Sequence, residues 1–187
     1  MKKKEMDYFT ALYDVARVIN ASLEPARVLA KIVQSVAQAM DVKAASIRLL
    51  DDREKKLLLG ASFGLSDAYI HKGPILVEES GIDRKALRGK RIYLKDAQTD
   101  KGFQYGEKAK AEGIKSVLVV PLLVEKKAIG VLRVYSERLR EFQDRELQFL
   151  QAVADLSAIA IENARLHQML QLRCELMTAH KYRIDDN

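Results

Sequence analysis

The sequence predicts an α+β fold in which a doubly buried antiparallel hairpin is sandwiched between two layers of other structure. Three observations carry this. Ser116 to Val124 and Ala128 to Tyr135 are apolar, β-branched runs separated by Glu125-Lys126-Lys127, the pattern of two strands and a turn. Two amphipathic helical patterns open the chain, and no proline or glycine follows Asp144.

The hairpin does not alternate between polar and apolar. Val117, Val119 and Leu123 point one way and Leu118, Val120, Leu122 and Val124 the other, so both faces are covered. Its second strand is nearly the same, with Arg133 the only charge. Tyr8, Leu12, Val15 and Ile19 recur at helical spacing and place one dry stripe on a first helix ending near Asn20. Pro25 starts a second helix, where a missing N–H costs nothing, with Leu23 and Val28 as a staple and Leu29, Ile32, Val33, Val36 and Met40 as the buried face. Lys43 to Leu50 and Leu57 to Phe63 form a first hairpin around a polar turn. Between Gly64 and Glu112 the pattern weakens. Short helices are expected at Ser66 to Ile70, Ile82 to Arg88 and Gln104 to Glu112, with strands at Ile75 to Val77 and Arg91 to Lys95.

Glu141-Phe142-Gln143-Asp144 begins the longest element. Leu147 to Ile161 is apolar on so wide an arc that the helix must be covered on two sides. A seam of Phe149, Val153, Leu156, Ala160, Asn163, His167, Leu170, Cys174 and Met177 steps by four and three, a heptad pattern. Asp144 to Met177 would be a rod of about 50 Å. A second copy is the simplest cover, pairing Leu12 and Ile19 of the first helix with the seam residues in a two-fold bundle. The alternative is a helix that stops near Gln168 and frays beyond it.

The chain has 187 residues, 48% hydrophobic and 31% charged, with a net charge of +6. One domain over residues 1–166 and a helical extension over 167–187 accommodate that length. No apolar run approaches the roughly 20 residues that span a bilayer, and Met1-Lys2-Lys3-Lys4 leads into Glu5 and Asp7 where a signal peptide would have its apolar core. A cytoplasmic protein without membrane contact is expected. A single cysteine, Cys174, excludes an internal disulfide and any multi-cysteine metal site.

Together these residues resemble a GAF domain, the small-molecule sensing module related to PAS domains. The resemblance runs from Leu12 to Leu166. It rests on Ala21-Ser22-Leu23, Ala45-Ser46-Ile47-Arg48-Leu49, Ser116 to Leu122 with Ile129-Gly130-Val131-Leu132, Phe142 to Glu146, and Ala158 to Leu166. It implies an antiparallel sheet of five or six strands, with the first, second and last helices on one face. A ligand pocket on the other face would be roofed by Gly64 to Glu112.

Catalytic and cofactor patterns are weak. Gly60-Ala61-Ser62-Phe63-Gly64 fits the nucleophile-elbow string of hydrolases, but His71 is too near in sequence, and His167 and His180 sit on the terminal rod. No metal spacing links the three histidines. Bilin-carrying relatives need a cysteine inside the domain, methionine sulfoxide reductase relatives need several, and the signature of cyclic-nucleotide binders is incomplete at Arg145-Glu146. No enzyme activity and no cofactor are expected.

One basic cluster stands out in the roof segment: six positive charges fall between Arg84 and Lys95. The candidate ligand-binding residues are Phe63, Tyr69, Arg84, Arg88, Asp96, Thr99, Asp100, Phe103, Tyr105 and Ser116, arginines for an anion and aromatic or polar groups to line its pocket. The expected function is a non-enzymatic regulatory module. It binds an anionic or nucleotide-like molecule and relays that event through a homodimeric helical bundle to a separate output protein. Ligand-free scaffolding, and then nucleic-acid binding through Arg84 to Lys95, are the alternatives. The family's output domains are absent from this sequence, so either a stand-alone regulator or a fragment of a larger sensor is expected, with the Met1 start and polar Asp185-Asp186-Asn187 end slightly favouring the former.

Overall fold

The structure, a computed structural model, describes residues 7–21, 24–51, 53–71 and 73–185, the side chains of 178–185 excepted. The proposed staple of Leu23 on Val28 and the side chain of His180 lie outside the described residues.

Helix α1 (Tyr8–Ala21) and helix α2 (Pro25–Ala39) are amphipathic, and α2 carries Pro25 in its first turn as the sequence requires. Strand β1 (Ala44–Leu50) turns back into β2 (Lys56–Phe63). The roof follows as α3 (Asp67–Ile70), β3 (Ile75–Leu76), α4 (Gly81–Ala86), β4 (Ile92–Leu94) and α5 (Gly106–Ala111). Strands β5 (Ser116–Val124) and β6 (Lys127–Ser136) complete the sheet, and α6 (Asp144–Asp185) closes the chain.

The six strands form one sheet in the order β3-β2-β1-β6-β5-β4, antiparallel throughout. The β5–β6 turn is shorter than expected. Glu125 and Lys126 both have positive φ, 47° and 73°, and Lys127 already pairs with Val124. Two left-handed residues give the turn the twist of the flanking strands, so the third charged residue belongs to β6.

One apolar layer joins α1, α2 and α6 to one sheet face through Ala45, Ile47, Leu118, Val120, Leu122, Leu132 and Val134. The opposite layer joins Ala44, Val117, Val119, Val131 and Tyr135 to Tyr69, Ile75, Ile82, Ala86, Phe103 and Ala109 of the roof. Alternation along β1, β5 and β6 therefore sends successive side chains into different layers.

The start of α6 is fixed by a hub at Arg140. Its Nη1 donates to the carbonyls of Met40 and Asp41, each at 3.1 Å, and its Nη2 pairs with Glu146. Glu146 also accepts from the Gln143 N–H at 2.8 Å, which satisfies an orphan donor at the helix start. Arg140 lies over the Phe142 ring, and Phe142 meets Tyr93 of β4 edge to face. The end of α2, the edge strand and the first turn of α6 are thereby tied at one place. From there α6 runs 42 residues, about 63 Å, and from Arg165 to Met177 its residues are exposed.

The β1–β2 turn is held by Asp51, whose Oδ1 accepts from the Lys55 and Lys56 N–H groups at 2.7 and 2.8 Å. The bond from Lys56 holds the Asp51 carboxyl below its usual range; slight desolvation opposes it and the bond from Lys55 adds to it. A depressed folded-state value means that this contribution is present above the unfolded carboxylate value of about 3.9 and is lost as the pH falls through the folded one. Asp51→Asn is accordingly expected to flatten the acid limb of the urea midpoint plotted against pH, and an acid limb identical to wild type would exclude the role.

Candidate functional site

Apolar strands buried on both faces have no use for charge, yet the roof-side face of the two middle strands carries it. On β1, Ser46 and Arg48 follow Ala44 at the same parity. On β6, Arg133 and Tyr135 follow Val131. The β1–β6 register sets Ser46 opposite Arg133 and Arg48 opposite Val131, so the four polar side chains are neighbours on one face. Gly130 permits this close pairing. A Cβ there would sit 2.3 Å from the Arg48 carbonyl oxygen.

The roof supplies the other half. Ser80 and Asp83 stand at the start of α4, and the Ser80 hydroxyl donates to Asp83 Oδ2. Arg133 Nη2 donates to that same oxygen, so a buried ion pair pins α4 to the sheet. Ser46 and Tyr135 share a hydrogen bond of 2.9 Å, and Tyr69 of α3 meets the Tyr135 ring edge to face at 6.1 Å. Arg48 Nη1 donates to the Leu57 carbonyl at 3.4 Å. Ser46, Arg48, Tyr69, Asp83, Arg133 and Tyr135 are all 0–2% exposed.

The charges do not balance inside this layer. Arg48 and Arg133 are two guanidiniums against the one carboxylate of Asp83. Burial pushes Arg48 below the usual arginine value; the nearby Tyr135 opposes that shift and Arg133 reinforces it. Arg133 is desolvated too, but Asp83 more than offsets the burial and holds it above the usual value. Burial likewise pushes the Tyr69 phenol well up, with Tyr135 adding to the shift. Arg48 Nε and Nη2, Arg133 Nε and Asp83 Oδ1 are buried without a hydrogen-bond partner among the described residues.

The candidate residues from the sequence are dispersed. Tyr69 is in the charged cluster and Phe103 in the apolar layer beside it. Tyr105 is half-buried and donates to the Pro74 carbonyl at 2.9 Å. Ser116 is buried, but its hydroxyl donates to the Lys95 carbonyl and accepts from the Arg140 N–H, which ties β5 to the loop before α6. Arg84 and Arg88 are exposed and line an open groove with Leu50, Glu54, Val77 and Leu87, whose lining does not include Asp83 or Arg133. Phe63 is 37% exposed at the end of β2. Asp96 accepts from the Gln98 N–H, Asp100 from the Gly102 N–H, and Thr99 is exposed. Sequence reasoning missed Arg48, Asp83 and Arg133. The signal that reveals two of them is a lone charge in a strand apolar on both faces, and Arg133 was visible as one.

The heptad seam divides. Phe149 and Val153 are buried in the chain's own core, with Leu12, Ile19 and Leu156 packed against it. Ala160 is half-buried, while Asn163, His167 and Leu170 are exposed. Among the described residues there is no group of three or more histidine, cysteine, aspartate or glutamate side chains that could hold a metal. No helix among them is long and apolar enough to cross a membrane.

A six-stranded antiparallel sheet with α1, α2 and α6 on one face and a roof of short elements on the other is the architecture of a GAF domain, and the chain belongs to that family. The family's model matches residues 22–162. Over 170 residues the chain is 21% identical to the formate hydrogenlyase transcriptional activator of Salmonella typhimurium, a match covering 88% of this chain and 25% of that protein. The chain thus spans about a quarter of the length of the curated relative it matches. Among solved structures it is similar to the GAF domain of the Acinetobacter phosphoenolpyruvate-protein phosphotransferase, at 29% identity and a TM-score of 0.73, covering 84% of this chain and 94% of that one. The corresponding domain from Coxiella burnetii superposes with a TM-score of 0.79 at 22% identity, covering 89% and 99%. GAF domains are sensory modules of signalling proteins, and the curated relative is a transcriptional activator.

Proposed function

We propose that this GAF domain is a non-catalytic regulatory sensor that takes a small molecule between its roof and its sheet. One observation carries the reading. Among the described strand residues the helix-side face of the sheet buries no charge, whereas the roof-side face buries Arg48 and Arg133 beside Asp83 of α4, with hydrogen-bonding capacity left over. Buried charge without full pairing costs stability, so it marks a place built for a ligand more readily than a place built for packing.

The relay runs through the helical layer. A ligand that moves α4 or β4 acts on Tyr93 and Ser116, which touch the Arg140 loop, and through it on the start of α6. The far end of α6 then contacts a second copy or an output protein. Leu166, Met169, Leu170, Leu172, Leu176 and Met177 are 45–75% exposed on a stretch of α6, Arg165 to Met177, in which every residue is exposed. In this reading the protein works in the cytoplasm as a homodimer, without cofactor, membrane or nucleic acid. Ligand-free dimerisation is a second reading, favoured by the same exposed side chains.

Mass spectrometry of the purified protein, first native and then denaturing, separates these. The expected result is a dimer whose native mass exceeds the sum of its chains by a compound lost on denaturation, or one that gains a compound from a metabolite panel with a rise in melting temperature. A dimer that takes up nothing from the panel would leave the scaffold reading alone.

A further inference from the structure

Arg48 offers a specific shape to whatever neutralises it. Its Nη1 is engaged by the Leu57 carbonyl, and the two nitrogens without a partner, Nε and Nη2, form one edge of the guanidinium plane. That edge is the fork that grips two oxygens of a carboxylate or a related oxyanion side by side. Arg133 Nε adds a third buried donor, while Asp83 Oδ1 is a single acceptor. Donors outnumber acceptors, and positive charge outnumbers negative by one.

A lysine in this position could relieve the imbalance by losing its proton. A guanidinium cannot, so the surplus charge persists until an anion meets it. Size follows from enclosure: every polar member of the cluster is at most 2% exposed, which suits a compact ion closed over by the roof and not a nucleotide.

Resting on the reading of the roof-side layer as the ligand site, we propose that the cluster binds a compact oxyanion, held side-on by Nε and Nη2 of Arg48 and by Nε of Arg133 on the neighbouring strand. Asp83 Oδ1 accepts a hydrogen bond from any hydroxyl the anion carries. Asp83 has a second part. It competes for Arg133, so its pairing keeps α4 on the sheet when the anion is absent and loosens when the anion draws Arg133 toward itself.

The test uses the full chain in acetate, lactate, nitrate and phosphate, each compared with chloride at equal ionic strength, by thermal and urea unfolding. At a hundred times its dissociation constant the right anion raises the folded-to-unfolded ratio about a hundredfold. Arg48→Met is expected to melt above wild type in chloride, because it removes an unpaired buried charge, and to lose the anion response, so that the order reverses at saturating anion. Arg48→Lys removes the fork and leaves an amine that can shed its proton, and is expected to weaken binding at least tenfold. It also decides the matter if Arg48→Met does not fold. A saturable response that survives both substitutions, or a protein stabilised by uncharged compounds alone, overturns the oxyanion assignment while leaving a sensor in place. No stabilisation by any oxyanion, with no compound of any class retained in native mass spectrometry, overturns both.

Discussion

Asp83→Ala is expected to destabilise the fold by about 3–5 kcal/mol, the range for removing one partner of a buried ion pair. The substitution leaves Arg133, 1% exposed, beside Arg48, also 1% exposed, with no carboxylate between them. It also strips the Ser80 hydroxyl of its acceptor. Urea unfolding followed by circular dichroism reads the loss as a lower midpoint at unchanged slope. The double variant Asp83→Leu, Arg133→Met is expected to recover most of it, because a buried pair replaced by apolar groups of similar volume is often neutral or stabilising. Equal losses in the single and double variants would show that Asp83 acts by packing and not by charge.

Leu150→Ala carries the second large effect, about 2–5 kcal/mol. Leu150 is fully buried where α6 crosses the sheet, among Val153, Ala154 and the strand residues Leu118 and Val120. Its truncation opens a cavity in the layer that joins sheet to helix. Leu170, on the same helix, is 60% exposed. In an isolated chain Leu170→Ala is expected to move stability by no more than about 0.5 kcal/mol. A second copy lying along α6 would raise that cost and make it depend on protein concentration. The two substitutions, compared across a hundredfold range of concentration, therefore distinguish the half of α6 that belongs to the domain from the half that projects.

The layers were legible in the sequence because hydrophobic periodicity reports local geometry directly. Non-alternating apolar runs at Ser116 to Val124 and through β6 required cover on both faces, and both faces are covered. The short roof elements were placed to within one or two residues by Gly81, Gly89 and Gly73-Pro74, since backbone breakers act locally. The site was harder to see. Arg84 and Arg88 looked like the anion-binding pair because they are dense in sequence, yet a short surface helix simply turns them to solvent. Arg48 and Arg133 lie 85 positions apart, and nothing in either strand alone reveals that the register brings them together.

By itself the sequence determined the layered α+β architecture, the double burial of the strands and the start of a long final helix at Asp144, because side-chain periodicity and turn chemistry are properties of neighbouring residues. The end of that helix at Asp185 lies beyond the Met177 or Gln168 that the pattern suggested. Only the tertiary structure decided which charges share an interior. Strand register between β1 and β6, and the contact of α4 with the sheet, set two guanidiniums against one carboxylate. That imbalance arises among residues distant in the chain, where no local pattern records it.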